Sequence, residues 1–288
     1  MGAHATRTIF RLPPMVYPTW RDPRLAQVAI LFSFLVLGKF VLAFDVSWLQ
    51  VVVVVFTVCL LDTGLSFWET GTVVVPASGL ISGLSLSLLL RSPLVWPFLV
   101  AGVVTVLAKH LIQVRGRHVF NPSNFGLVVV LVLPWADGRV TPSQWGRSWL
   151  IVFLILNLGF FLVYAVRRFH LVVAFVGSFI VFGLLRTVLD VSSVASLSAS
   201  VLSGSFLLFT FFMITDPKTS PATVRGRVVY GVAVAAVDAL FRVIGIPYAL
   251  FLALVTICSV YAVARVLQVD APLESLWRTG STEKGIIT

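Results

Sequence analysis

The sequence predicts an all-α integral membrane protein of about ten transmembrane helices arranged as two sets of five. Three observations predict it. Of the 288 residues 59% are hydrophobic and 11% charged, at a mean hydropathy of +1.03, whereas a soluble domain carries about 25% charged residues. Apolar segments close to the ~20 residues that cross a bilayer recur along nearly the whole chain. Lys and Arg gather in alternate loops, as on the cytoplasmic face of a multi-pass protein. The first 24 residues are rich in Arg and Pro and do not read as a signal peptide.

The elements follow in order. Apolar segments fall at about 25–44, 48–67, 72–90, 93–111, 119–135, 148–166, 170–189, 195–214, 228–245 and 247–267. Lys39 lies near the end of the first, where its stem can snorkel outward. The second carries Cys59 and Asp62 and runs into Glu69 in "DTGLSFWETG". The third, "PASGLISGLSLSLLLRSP", is rich in small residues, as is the eighth, "LSASVLSGSFLLFTFFMITDP". Gly79, Gly83, Ser203 and Gly204 there suit close helix packing, and Ser78, Ser82, Ser85 and Ser87 are spaced to line a path. Arg186 and Asp190 on the seventh segment, and Asp238 and Arg242 on the ninth, are four apart and read as self-paired charges. Trp48, Trp68, Trp96, Trp135 and Trp145 fall at segment ends, the usual place of interfacial anchors.

Charge placement sets an orientation. Arg7, Arg11, Arg21 and Arg24 precede the first segment, and Arg115, Arg117, Arg167, Arg168, Lys218, Arg225, Arg227, Arg278 and Lys284 recur on the same side. The other side has Arg91, Arg139, Arg147 and Arg242, offset by Asp45, Asp137 and Asp190. Both termini are therefore expected in the cytoplasm, with tails at 1–24 and 268–288 around a membrane domain at 25–267. The net charge of +10 reads as membrane orientation; dispersed over short loops, it offers nucleic acid no surface. Cys59 and Cys258 stand alone in apolar runs, which excludes a disulfide framework or an iron–sulfur spacing. Four scattered histidines define no metal site.

An odd number of spans per set obliges the second set, about 146–267, to insert upside down relative to the first, about 25–135. Such inverted repeats place their binding sites near the bilayer midplane, between broken helices.

Two motifs carry chemistry. In "VRGRHVFNPSNFG", Asn121 is placed to cap a helix with Pro122 at its first position, followed by Ser123 and Asn124. "MITDPKTSPATVRGR" repeats the device with Asp216 and Pro217, followed by Lys218, Thr219 and Ser220. A helix start beside Arg115 and Arg117 is suited to an anion, since free N–H groups, the macrodipole and guanidinium forks converge there. Asp216 would oppose an anion at its own helix, so the Asn121 end is the better candidate. "VRGRHVF" and "VRGRVVY" match at five of seven positions, but both lie on the predicted cytoplasmic side, so this echo is not the inverted repeat. Asp62 and Glu69 are open to two readings: an ion pathway for a proton or sodium, or simple exposure at the membrane edge.

The blocks running from "GLISGLSLSLLLRSP" to "NPSNFGLVVVLVL", and "FFMITDPKTSPATVRGRVVYG", resemble the NqrB/RnfD family. This family contains membrane subunits of the sodium-pumping NADH:quinone oxidoreductase and of the Rnf electron-transport complex. The blocks cover about a quarter of the chain, and "FNPSNFG" and "DPKTSP" most resemble the compact UnbU-type branch of enediyne biosynthesis clusters. The resemblance implies a urea-transporter-like fold of inverted five-helix repeats in the bacterial cytoplasmic (inner) membrane. It also implies a flavin (FMN or riboflavin) or quinone cofactor and a redox partner subunit or reductase, because the chain has no nicotinamide site of its own. Respiratory members join FMN through its phosphate to a threonine in an S-G-A-T-like stretch. Here the matching loop is "ADGRVTPSQWGRSW", where Thr141 is the candidate and Arg139 and Val140 replace the small residues. Noncovalent binding by Asn121, Asn124, Asp216, Lys218, Thr219, Ser220, Arg115 and Arg117 is therefore the expectation. A channel or carrier for a small solute, and a ligand-free scaffold, remain the alternatives.

Overall fold

The computed structural model describes residues 14–20, 22–141, 145 and 149–267. Residues 1–13 and 268–288, with Arg7, Arg11, Arg278 and Lys284, lie outside the described residues, as do Arg21, Pro142 and Arg147. Each of the ten apolar segments contains a helix. They are α1 Pro23–Phe40, α2 Trp48–Thr70, α3 Ala77–Leu89, α4 Trp96–Leu111, α5 Pro122–Val132, α6 Trp149–Ala165 and α7 Phe169–Val188. A broken pair, α8 Val194–Val201 and α9 Gly204–Leu208, comes next, followed by α10 Val224–Val243 and α11 Ala249–Val266.

Local chemistry explains most boundaries. Asp22 caps α1 with Pro23 at its start. Ser47 and Gln50 form a reciprocal capping box on α2, which Gly71 ends at φ 67°. Ser193, Ser203 and Thr223 cap α8, α9 and α10. At Leu202 and Ser203 the chain bends by 52°, and α9 runs into a π-type turn at Phe209–Met213.

The protein is an all-α membrane protein, but its helices are not ten equal spans. Among the described residues α1, α2, α7 and α11 are long and apolar enough to cross a membrane, or five spans if the bent pair counts as one. Pro76 and Pro122 stand at the starts of α3 and α5, Pro93 falls between α3 and α4, and Pro134 follows the end of α5. With 11 residues, α5 is about 16 Å long against a hydrocarbon core of ~30 Å. α10 has 20 residues but carries Arg225, Arg227, Asp238 and Arg242.

In the packing α2 lies on α3 and α4, and α4 on α5; α7 lies on α10, and α10 on α11. Strand β1, Met15–Val16, pairs with β2, Val73–Val74, and β3, Gln113–Val114, forms a hairpin with β4, Arg117–His118. Three expectations change. Trp145 is buried against Phe34 and Phe44, where the bare Cα of Gly204 makes room for it. Lys39 donates to the carbonyls of Phe44 and Val46 and so braces the turn after α1. Arg242 pairs with Asp238 at 2.8 Å, but Arg186 makes no ion pair with Asp190, which lies past the helix end at φ 57° and is exposed.

Candidate functional site

The two motif blocks meet. A cavity of about 530 Å³ is lined by His118, Asn121 and Ser123 from the first and by Thr215, Asp216 and Lys218 from the second. Ser78, Ser82 and Ser85 of α3, Asp22, Arg24 and Gln27 at the start of α1, and the apolar Ile81, Leu162, Val166 and Phe212 also line it. Three of the four path serines therefore face one space, while Ser87 is fully buried and donates to the Gly83 carbonyl.

Asn121 holds the first side of the cavity. Its Oδ1 accepts the Asn124 N–H at 3.0 Å and the Ser123 hydroxyl at 3.0 Å, and its Nδ2 donates to the Met213 carbonyl at 3.3 Å. One side chain thus caps α5 and ties it to the segment carrying Asp216. Pro122 is at the first helical position, as expected. Asn124 is buried behind the cavity, its Nδ2 on the Phe251 carbonyl and its Oδ1 without a hydrogen-bond partner.

Asp216 does not cap a helix. Its Oδ1 accepts the Lys218 N–H at 2.9 Å and its carbonyl accepts the N–H groups of Thr219 and Ser220 and both hydroxyls. The result is a closed turn. Pro221 stops propagation, because it has no N–H and its ring would meet the carbonyl one turn back; α10 starts only after Thr223. Thr219 and Ser220 are buried in this turn and hold its shape, while Asp216 and Lys218 reach the cavity.

The arginines do other work than expected. Arg117 donates to the carbonyls of Pro217, Lys218 and Ser220. Arg168 donates to those of Pro217 and Pro221, and Arg227 to those of Pro221 and Ala222. Three guanidinium groups clamp one turn, so the Arg117 fork is engaged with backbone oxygen and not offered to an anion. Burial, with Arg227 and Arg117 close by, pushes the Arg168 guanidinium down to about 10, which leaves it charged at neutral pH. Arg115 is exposed at the hairpin tip, at φ 52°, and does not line the cavity.

Thr141 is half-buried beyond the backbone bridge between Arg91 and Arg139 and is not part of this cavity. Asp62 and Glu69 lie elsewhere too, bound to bases of α4: Asp62 to Lys109 and His110, Glu69 to His110. Sequence reasoning missed His118, whose Nε2 lies 3.2 Å from Asp216 Oδ2 and joins the two motifs. Its signal was its place inside the quoted block. Asp22 and Gln27 had no sequence signal, because only folding brings α1 to the cavity rim.

These features define a helical membrane protein with a ligand-sized, partly polar cavity where its two signature segments meet. Residues 138–259 match the model of the NQR2, RnfD, RnfE family. The resemblance read from the two motif blocks is to this family. The chain is 31% identical over 116 residues to the D subunit of the ion-translocating oxidoreductase complex of Erwinia tasmaniensis, an alignment covering 40% of this chain and 32% of that protein. It is 39% identical over 66 residues to the corresponding protein of Vibrio atlanticus, covering 23% and 19%. To that of Escherichia fergusonii it is 28% identical over 133 residues, covering 44% and 37%. The chain thus spans well under half the length of the curated relatives it matches.

Proposed function

We propose that this chain is a membrane subunit of an electron-transfer system that holds a flavin, FMN or riboflavin, or a quinone noncovalently in the cavity between the two motifs. The observation that carries the reading is the convergence of Asn121, His118 and Asp216 with the α3 serines on one space of about 530 Å³. Its size lies within the ~300–1,000 Å³ of ordinary cofactor sites. A planar ring with an apolar end and a polar edge fits such a lining: Ile81, Leu162 and Phe212 can take the apolar end. His118, Asp216 and the serines can hydrogen-bond the polar edge. When bound, a flavin or quinone would supply one- and two-electron chemistry. The protein's part is to orient the ring and to set its surroundings, with the clamped 216–222 turn keeping Asp216 in place. Thr141 has no role in this noncovalent reading.

The wider reading follows from the relatives, which are named as subunits of ion-translocating oxidoreductase complexes. Electrons reach the cavity from a redox partner subunit or reductase, in the bacterial cytoplasmic membrane, with both termini in the cytoplasm. The recurrence of α2 on α4 as α7 on α10, and of α4 on α5 as α10 on α11, supports two inverted five-segment repeats. The UnbU-like motifs favour service to a biosynthetic pathway. A channel or carrier is the second reading, favoured by a separate pocket lined by Ser196, Ser200 and Ser203 beside Arg242. Purification in mild detergent followed by absorption and flavin fluorescence separates the two. Flavin released on denaturation supports the redox reading, and a preparation that stays colourless after incubation with FMN and riboflavin refutes its flavin form and makes solute flux in liposomes the next assay.

A further inference from the structure

Where the last turns of α2 pack on the end of α4, three side chains form a continuous chain. Glu69 has a half-exposed carboxylate whose Oε1 is 2.8 Å from His110 Nδ1. The other ring nitrogen, Nε2, is 2.9 Å from Asp62 Oδ1, and the His110 and Asp62 side chains are only 6% and 5% exposed. Lys109 Nζ lies 2.5 Å from the same Asp62 oxygen, and Cys59 on α2 is also within electrostatic reach of Asp62. On its far side Asp62 abuts α3: a Cβ on Gly79 would stand 3.2 Å from Asp62 Oδ2. Ser78 and Ser82, on the same stretch of α3, line the cavity.

Charge pairing does not account for the imidazole. Lys109 already neutralises Asp62, and a second lysine would neutralise Glu69. An imidazole differs in that it can accept a proton at one nitrogen and release one from the other. Here one nitrogen faces a carboxylate open to water and the other a carboxylate sealed against the helix that walls the cavity.

We propose that Glu69, His110 and Asp62 form a proton relay leading from water to the α3 side of the cavity, a role that rests on the redox reading. A proton taken from water by the Glu69 carboxylate passes to His110 Nδ1, and the proton on Nε2 passes to Asp62 Oδ1. Glu69 regains its charge, Asp62 becomes neutral, and no electron moves. Two-electron reduction of a flavin or quinone consumes protons, and the electrons come from the partner redox protein. Lys109, on the same Asp62 oxygen, favours return of Asp62 to the carboxylate once its proton moves on.

The test uses the full chain in nanodiscs with riboflavin bound, following proton uptake with a pH indicator after rapid reduction by dithionite. His110→Gln keeps hydrogen-bonding atoms but cannot accept and pass on a proton, and is expected to slow uptake by roughly 10²-fold while riboflavin affinity holds. Added imidazole is expected to restore the rate in His110→Ala. Unchanged uptake in His110→Gln overturns the relay. In parallel, ¹⁵N-histidine spectra of the flavin-free protein report which ring nitrogen of His110 carries the proton, and that pattern is expected to change in Glu69→Gln. A pattern left unchanged in Glu69→Gln overturns the relay even where riboflavin binds. Failure of riboflavin to bind overturns the redox reading alone, since the ring pattern is read without flavin.

Discussion

Replacing Arg117 by alanine separates two roles for this arginine, phosphate recognition and support of the cavity wall. Its guanidinium makes hydrogen bonds of 3.0 Å to the Lys218 carbonyl and 3.2 Å to the Ser220 carbonyl, and a third to Pro217. Hydrogen bonds involving a charged group contribute about 1.5–3 kcal/mol each. Arg117 is half-buried, so solvent screens part of that sum, and Arg168 still holds Pro217. A loss of about 2–3 kcal/mol in the order of the turn is then reasonable for the three bonds together. If ligand binding needs the ordered turn, affinity falls by at most roughly 10²-fold. The assay is titration of riboflavin and of FMN into the purified protein, read by fluorescence quenching. Both ligands are expected to weaken in parallel, because the defect lies in the turn that presents Asp216. Arg117→Lys should fall between, since an ammonium cannot reproduce the fork. A selective loss of FMN affinity, roughly tenfold or more beyond that of riboflavin, would place the guanidinium on the phosphate and refute this reasoning.

Four further outcomes are expected. Gly126→Ala puts a Cβ against the Thr105 hydroxyl and 2.5 Å from the Ala101 carbonyl, and overpacking between α4 and α5 should cost about 1–3 kcal/mol in thermal unfolding. Thr105→Ala should not rescue it, because the Ala101 carbonyl remains. Asn121→Ala removes the α5 cap and the bond to Met213, and should cost at least ~1 kcal/mol and weaken riboflavin binding; Asn121→Ser should recover the cap alone. Thr141→Val should leave the flavin content of the protein unchanged, and denaturation with filtration should release that flavin from wild type and variant alike. Finally, the Arg24 hydrogen bonds hold the Asp22 carboxyl below the usual carboxylate range. A depressed folded-state value gives stability that is full above that range and declines as pH falls through it. Melting curves of wild type and Asp22→Asn should therefore differ at neutral pH and converge in acid.

The local features were legible in the residues themselves. Apolar runs marked where helices form, Pro134 marked the end of α5, and Asn121 followed by Pro122 announced its start, since capping depends on neighbours two or three residues away. Asp216 shows the limit of that method: the same two-residue signal was overridden by Pro221, five residues on, and became a turn. Partners far apart in the chain could not be read at all. His118 meets Asp216 and Asp62 meets His110 across 98 and 48 residues, and Arg117 closes on the 217–220 turn from 100 residues away. Nothing in the spacing of charges says whether a guanidinium will face a ligand or a row of carbonyl oxygens. That choice is made by packing: α5 and the turn before α10 come together, and each buried donor takes the nearest acceptor because leaving it bare in a low-dielectric interior costs more than any single bond contributes.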